Sequence, residues 1–127
     1  MDNETLQLVV NEILPILQTR IIGKIFQLER NQLAIDFRPG DGRYLFLNFE
    51  PNQSPRLHLI RRRVKELEKN SDSPSNFVQF TRKRLSNALL MDIAKDENDR
   101  IISFAFLAED ENFAPQRFSL IAQFAGR

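Results

Sequence analysis

Cysteine is absent from the 127-residue chain, and histidine occurs once. No disulfide, thiolate metal site or cysteine nucleophile can be built from such a sequence, and one imidazole is too few for an ordinary zinc site. There is no Gly-rich phosphate loop and no nucleophile elbow, and the many carboxylates fall mostly in turns. A catalytic residue, a metal and a cofactor are therefore not expected. An excess of one charge is lacking as well: 18 basic residues stand against 17 acidic ones, a formal charge of +1. Nucleic-acid or membrane binding would have to come from a local patch and not from the field of the whole molecule. No apolar run approaches the roughly 18 residues of a membrane span, and the opening Met1-Asp2-Asn3-Glu4 is acidic where a secretory signal is basic. The expectation is a cytoplasmic protein with no membrane partner.

What is present is enough apolar material for one core. With 42% hydrophobic residues over 127 positions, one domain covering 1–127 is expected, and hardly two. From Leu6 the apolar residues fall at Leu6, Val9, Val10, Ile13, Leu14 and Leu17, a helical stripe behind Asp2 or Asn3 as N-cap. Pro15 removes a backbone donor and crowds the carbonyl of Asn11, which predicts a kink or an early helix end. Beyond Gly23, Lys24 to Glu29 pairs with Gln32 to Arg38 across Arg30-Asn31. Alternation at Leu33, Ile35 and Phe37, then at Leu45, Leu47 and Phe49, predicts a hairpin about Pro39-Gly40-Asp41-Gly42. Arg56 to Ile60 adds a strand after the turn from Pro51 to Pro55.

The polar stretch from Arg61 to Ser73 reads as an exposed connection or a short surface helix. Ser73-Pro74 signals a second helix. Its Phe77, Phe80, Thr81, Arg84 and Leu85 have helical spacing, with the apolar members expected in the core, Arg82 and Lys83 facing outward, and the end near Ser86-Asn87. Leu89 to Ala94 and Arg100 to Leu107 form another hairpin about Asp96-Glu97-Asn98-Asp99, and Phe118 to Phe124 is the last strand. Helix, about four strands, helix, about three strands argues for an α+β fold of antiparallel sheets, a sandwich or barrel with two flanking helices.

Each residue that could carry function also has a plain structural role. His58 lies opposite Leu57 and Leu59 on its strand, beside Arg56. With Arg56 it could stack on unpaired bases or bind an RNA backbone, although a lone histidine more often serves the fold. Arg61 to Lys69 holds five cations against two carboxylates, which suits phosphates or simply solvent. Arg82-Lys83-Arg84 fans over roughly 200° of a helix, so at least two of the three are open to phosphates or to water. Asp99-Arg100 ends a hairpin turn, where the two groups can orient each other and still present donors.

Taken in order, several short motifs resemble those of the NFACT N-terminal domain, which occurs in fibronectin-binding protein A homologues, in the bacterial quality-control factor RqcH and in nuclear export mediator factor. They are Ile22-Gly23-Lys24-Ile25, Ser54-Pro55-Arg56-Leu57-His58-Leu59, Phe80-Thr81-Arg82-Lys83-Arg84-Leu85, Asp99-Arg100-Ile101-Ile102 and Phe124-Ala125-Gly126-Arg127. The resemblance spans nearly the whole chain. It implies a sandwich similar to the N-terminal domain of formamidopyrimidine-type DNA glycosylases. It also implies a ribosome-associated quality-control role in which tRNA is held on the large ribosomal subunit of stalled particles, with Asp99 and Arg100 implicated in the tRNA contact and in adding C-terminal tails. Family members continue into further domains, so the resemblance implies one piece of a longer protein. The family often carries an Asp near the start of the first helix, where Thr5 falls here beside Glu4; ribosome binding thus carries over more directly than tail elongation.

The nucleic-acid-binding set expected from residues and resemblance together is Arg56, His58, Arg82, Lys83, Arg84, Asp99 and Arg100. A second reading is a module that binds fibronectin or another protein through exposed strand edges. A third is glycosylase-like DNA binding. Those glycosylases attack through an N-terminal proline followed by glutamate, where this chain has Asp2 and Asn3.

Overall fold

A computed structural model describes residues 2–50 and 53–124. Pro51 and Asn52 of the first predicted turn, and Ala125 to Arg127 of the last motif, lie outside them. The first helix, α1, spans Asn3–Leu17, and Asp2 is its N-cap, accepting the Thr5 amide at 2.7 Å. Leu6, Val10, Ile13 and Leu17 form its buried stripe. Pro15 does not kink the helix out of the core; it sits in the last turn, and the helix ends two residues later, with Gln18 N–H capping the Leu14 carbonyl at 2.8 Å. So close to the C-terminus, the missing donor costs a single bond.

Four strands follow as an antiparallel meander: β1 (Ile25–Glu29), β2 (Gln32–Ile35), β3 (Arg43–Asn48) and β4 (Arg56–Arg61), in the order β1-β2-β3-β4. Gly40 and Gly42 in the β2–β3 connection have φ of 85° and 77°, a conformation with little penalty only for glycine. Ile25, Ile35, Leu45, Leu47 and Leu57 face the core. The alternate residues Phe26, Ala34 and Tyr44 are buried too, beneath Leu67 of the short helix α2 (Val64–Lys69). The charged connection is thus a lid on the far face of the first sheet.

The second sheet is β5 (Leu89–Lys95), β6 (Ile101–Glu109) and β7 (Pro115–Gln123), again antiparallel and in chain order. Ile102, Phe104, Phe106 and Ala108 point inward together with Ala122 and Phe124. A register shift between Leu90 and Asp92 lets both Leu90 and Ile93 reach the core in spite of their odd spacing. Rings join the sheets: Phe37 stacks on Phe106 with centroids 6.2 Å apart, and Phe49 packs on Phe124 at 4.9 Å. Phe37, Phe106 and Phe124 are fully buried, and each contributes roughly 1.5–3 kcal/mol of transfer energy.

The stretch between α1 and β1 stitches the two sheets at the backbone. Thr19 and Ile22 donate to Leu90 and Ala88 carbonyls, and Gly23 then donates to Asp36 at 2.6 Å. The sheets stay open, with one core between them that α1 closes at the side of β4 and β5.

The helix α3 spans Asn76–Arg84 and corrects the sequence reading twice. Its N-cap is Ser75, accepting the Val78 amide at 3.2 Å, and not Ser73. Its inner face is Val78, Thr81 and the adjoining Leu85, while Phe77 and Phe80, expected in the core, are 54% and 59% exposed. The rotation is set by anchors on β1. Gln27, 4% exposed, accepts the Ser75 amide through Oε1 at 2.7 Å and donates to the Arg30 carbonyl at 2.9 Å. Arg82 donates through Nε and Nη2 to the Ile25 carbonyl at 3.1 and 2.5 Å. With those bonds made, the small Val78 and Thr81 lie inward; Phe80 turns out beneath Arg84, whose guanidinium carbon is 5.1 Å from the ring centroid.

Candidate nucleic-acid interface

The expected interface residues fall into two groups at opposite ends of the molecule. Asp99 and Arg100 close the β5–β6 turn. Asp96 Oδ1 accepts the Asn98 and Asp99 amides at 2.9 and 3.0 Å, which orders the turn and leaves the Asp99 carboxylate exposed. The Arg100 carbonyl accepts Phe124 N–H at 2.7 Å, and Phe124 packs on Phe49, next to Asn48, which pairs with Arg56. Arg56 therefore stands at the same end as Asp99 and Arg100.

Asp2 is at that end as well. Its carboxyl is held below the usual aspartate range, chiefly by the hydrogen bonds from Thr5, and the charge of Arg100 adds to the lowering. The acidic group near Arg100 is thus the N-cap, one turn before Thr5, the position compared with the family's Asp.

His58 faces Phe46 across the β3–β4 pair, ring edge to ring face, with centroids 5.4 Å apart and planes at 63°. Its pKa lies below the ordinary 6.5, first because it is half-buried and then because Arg56 and Arg62 repel its charged form. At neutral pH it is an uncharged ring, suited to stacking and not to phosphate attraction.

The α3 cations are elsewhere. Lys83 and Arg84 line a cleft with Glu109, Asp110 and Glu111, beyond the far end of β6. The nine residues of β6 at ~3.4 Å each put roughly 27 Å between that cleft and the Asp99–Arg100 turn. Arg82, expected to face outward with Lys83, instead turns to β1 and the Ile25 carbonyl. One continuous patch of all seven residues does not form.

Two cations that sequence reasoning passed over join Arg82. Lys24 and Arg38 line with it a groove of about 450 Å³ where residues 22–26, the end of β2 and the end of α3 meet. Lys24 was in view as part of Ile22-Gly23-Lys24-Ile25, and Arg38 as the residue before Pro39-Gly40, but nothing in the sequence joins them. No cluster of possible metal ligands occurs among the described residues, and no helix of the structure is long and apolar enough to cross a membrane.

Two open antiparallel sheets stitched by the 19–24 segment, with an Asp-Arg turn at one end, can be set beside known proteins. A family model described as the NFACT N-terminal and middle domains matches residues 2–127. The chain belongs to the NFACT family. Its fold is similar to that of the N-terminal domains of fibronectin-binding proteins of known structure. The N-terminal domain of fibronectin-binding protein PavA from Streptococcus pneumoniae superposes with a TM-score of 0.85 at 28% identity, covering 99% of this chain and 48% of that one. The N-terminal part of the fibronectin/fibrinogen-binding protein of Streptococcus suis gives 0.80 at 25% identity, covering 96% and 44%. The fibrinogen-binding protein from Staphylococcus aureus, at 24% identity and a TM-score of 0.74, covers 93% and 40% and is a likeness of fold alone. This NFACT chain thus spans less than half the length of the solved structures it matches. No curated protein sequence matches it.

Proposed function

We propose that this NFACT chain is an RNA-binding module that helps to hold tRNA on the large ribosomal subunit, as part of a cytoplasmic ribosome-associated quality-control protein. It acts by contact and not by covalent chemistry. The observation that carries the reading is the gathering of Asp99, Arg100 and Arg56 at one end, reached through the Phe49–Phe124 contact and the Phe124–Arg100 hydrogen bond. An ordered turn presents an exposed carboxylate that can accept from ribose or base donors, and Arg56 can meet the backbone phosphates. The neutral His58 ring, further along the same strand, suits stacking.

The experiment is co-sedimentation of tRNA or large subunits with the whole protein carrying Asp99→Ala and Arg100→Ala. Loss of most of the bound fraction, and stronger binding by the parent at low salt, is expected; unaltered binding would remove the assignment of this end.

A second reading, protein binding, is favoured by the names of the PavA and Streptococcus suis relatives and by the open sheets. β7 is an edge strand of nine residues, mostly exposed, able to accept an added strand. Saturable binding of fibronectin fragments at physiological salt, unmoved by competing RNA, would favour it over the first.

A further inference from the structure

The groove beside Gly23 differs in kind from the rest of the cationic surface. Three segments far apart in sequence bring Lys24, Arg38 and Arg82 to its walls, with Ser86 and Asn87 at its rim, and no carboxylate lines it. The nearest acid is Asp36, behind Gly23, with Oδ1 already accepting the Arg38 amide at 2.7 Å. Even with Asp36 counted, two positive charges are in excess here, in a chain whose total is +1.

The guanidinium groups are held in place before any ligand arrives. Arg82 is clamped by Nε and Nη2 to the Ile25 carbonyl, which leaves Nη1 without a hydrogen bond among the described residues. Arg38 donates from Nη2 to Asn87 Oδ1 at 3.3 Å, and its carbonyl is braced by Arg20 Nη1 at 3.0 Å. Its backbone sits at φ 53°, which aims the side chain back over Gly23. A Cβ on Gly23 would come within 3.0 Å of Asp36 Oδ2 and 3.1 Å of Arg38 Nε, so the bare glycine is what lets the guanidinium lie against the floor. Lys24 is exposed and makes no side-chain hydrogen bond or ion pair among the described residues.

Two held planar donors, a mobile ammonium and a hydroxyl, with no carboxylate in the lining and positive charge in excess of Asp36 behind it, are the requirements for binding a phosphate group. The volume, about 450 Å³, is of the size of small-ligand sites and far too small for a duplex. The apolar floor of Ile22, Phe26 and Leu85 offers a surface to a base or ribose attached to that phosphate.

We propose that this groove is a nucleotide-phosphate site, and that its physiological occupant is one backbone phosphate of a single-stranded RNA segment with its attached nucleoside. It rests on the RNA-binding reading only in the identity of the polymer, because it lies at the end of the molecule away from Asp99 and Arg100.

The test is titration of the 127-residue chain with a five-nucleotide RNA, followed by amide NMR shifts and by fluorescence anisotropy over a range of salt. Shifts are expected at Gly23, Lys24, Ser86 and Asn87. Lys24→Gln with Arg38→Gln, both at exposed positions, should weaken binding at least tenfold and flatten the slope of log affinity against log salt by about 0.7, the share of one single-strand phosphate contact. Gly23→Ala keeps every charge and should still weaken binding severalfold by displacing Arg38. Competition by millimolar inorganic phosphate would assign the site to the phosphate alone, and failure to compete would assign it to phosphate with nucleoside; both uphold it. Shifts confined to Asn98, Asp99 and Arg100, with the double variant binding normally, would overturn the groove and leave the RNA-binding reading standing. Shifts nowhere would overturn both, and equal competition by polyglutamate would overturn the phosphate assignment.

Discussion

Helix α3 carries three successive cations between two clefts of opposite character. On one side Lys83 and Arg84 share their cleft with Glu109, Asp110 and Glu111; on the other Arg82 meets Lys24 and Arg38 with no carboxylate in the lining. The same tripeptide thus contributes to a compensated surface and to an uncompensated one. In a chain close to neutrality, it is the placement of the counter-charges, and not the number of cations, that decides where an anion can bind.

The strongest way to break the contrast is to unfasten α3. Gln27→Ala removes the partner of the Ser75 amide and of the Arg30 carbonyl at a buried position. A loss of about 2–3 kcal/mol in urea unfolding is expected, with faster amide exchange through Asn76–Arg84. A loss below about 0.5 kcal/mol would mean that Arg82 alone holds the helix.

A gentler change sharpens it. Glu109→Gln with Glu111→Gln should free Lys83 and Arg84 and raise affinity for the five-nucleotide RNA two- to threefold at low salt, under ~1 kcal/mol. An equal gain at high salt would show that the carboxylates do not act through their charge. Asp110 is left in place because its Oδ1 holds the hairpin tip through the Asn112 and Ala114 amides, each at 2.8 Å.

The smallest effect concerns His58, crowded by Arg56 and Arg62. Its folded pKa lies below the unfolded value, so the unfolded chain takes up the proton first as the solution is acidified. Stability from this residue is complete above about pH 6.5 and falls as the pH drops from there through the lowered folded pKa. His58→Gln should flatten unfolding free energy over that window, above the range where Asp2 and Asp41, both lowered from 3.8, begin to protonate. An unchanged slope would assign the acid sensitivity to other groups.

Where one residue pattern had one solution, the sequence was legible. The stripe Leu6, Val10, Ile13 and Leu17 and the run Phe118, Leu120, Ala122 and Phe124 each have one face that can be buried, the alternation of Leu33 and Ile35 and of Leu45 and Leu47 marks the core side of β2 and β3, and all of these are packed against the core as expected. The α3 register was not legible, because Phe77, Phe80 and Leu85 and the alternative Val78, Thr81 and Leu85 are both helical stripes. The choice was made by Gln27 and Ile25, 48 and 57 residues away from their partners.

By itself the sequence determined the antiparallel α+β class, the absence of thiol chemistry, and the Asp99-Arg100 turn, since all of these depend on residue type and local spacing. Tertiary structure alone decided that Arg56 stands with Arg100, that Lys83 and Arg84 face carboxylates, and that Lys24, Arg38 and Arg82 share a groove without any. Electrostatic character belongs to charges close in space, and the hydrogen bonds and ring contacts that bring these ones together join segments far apart along the chain.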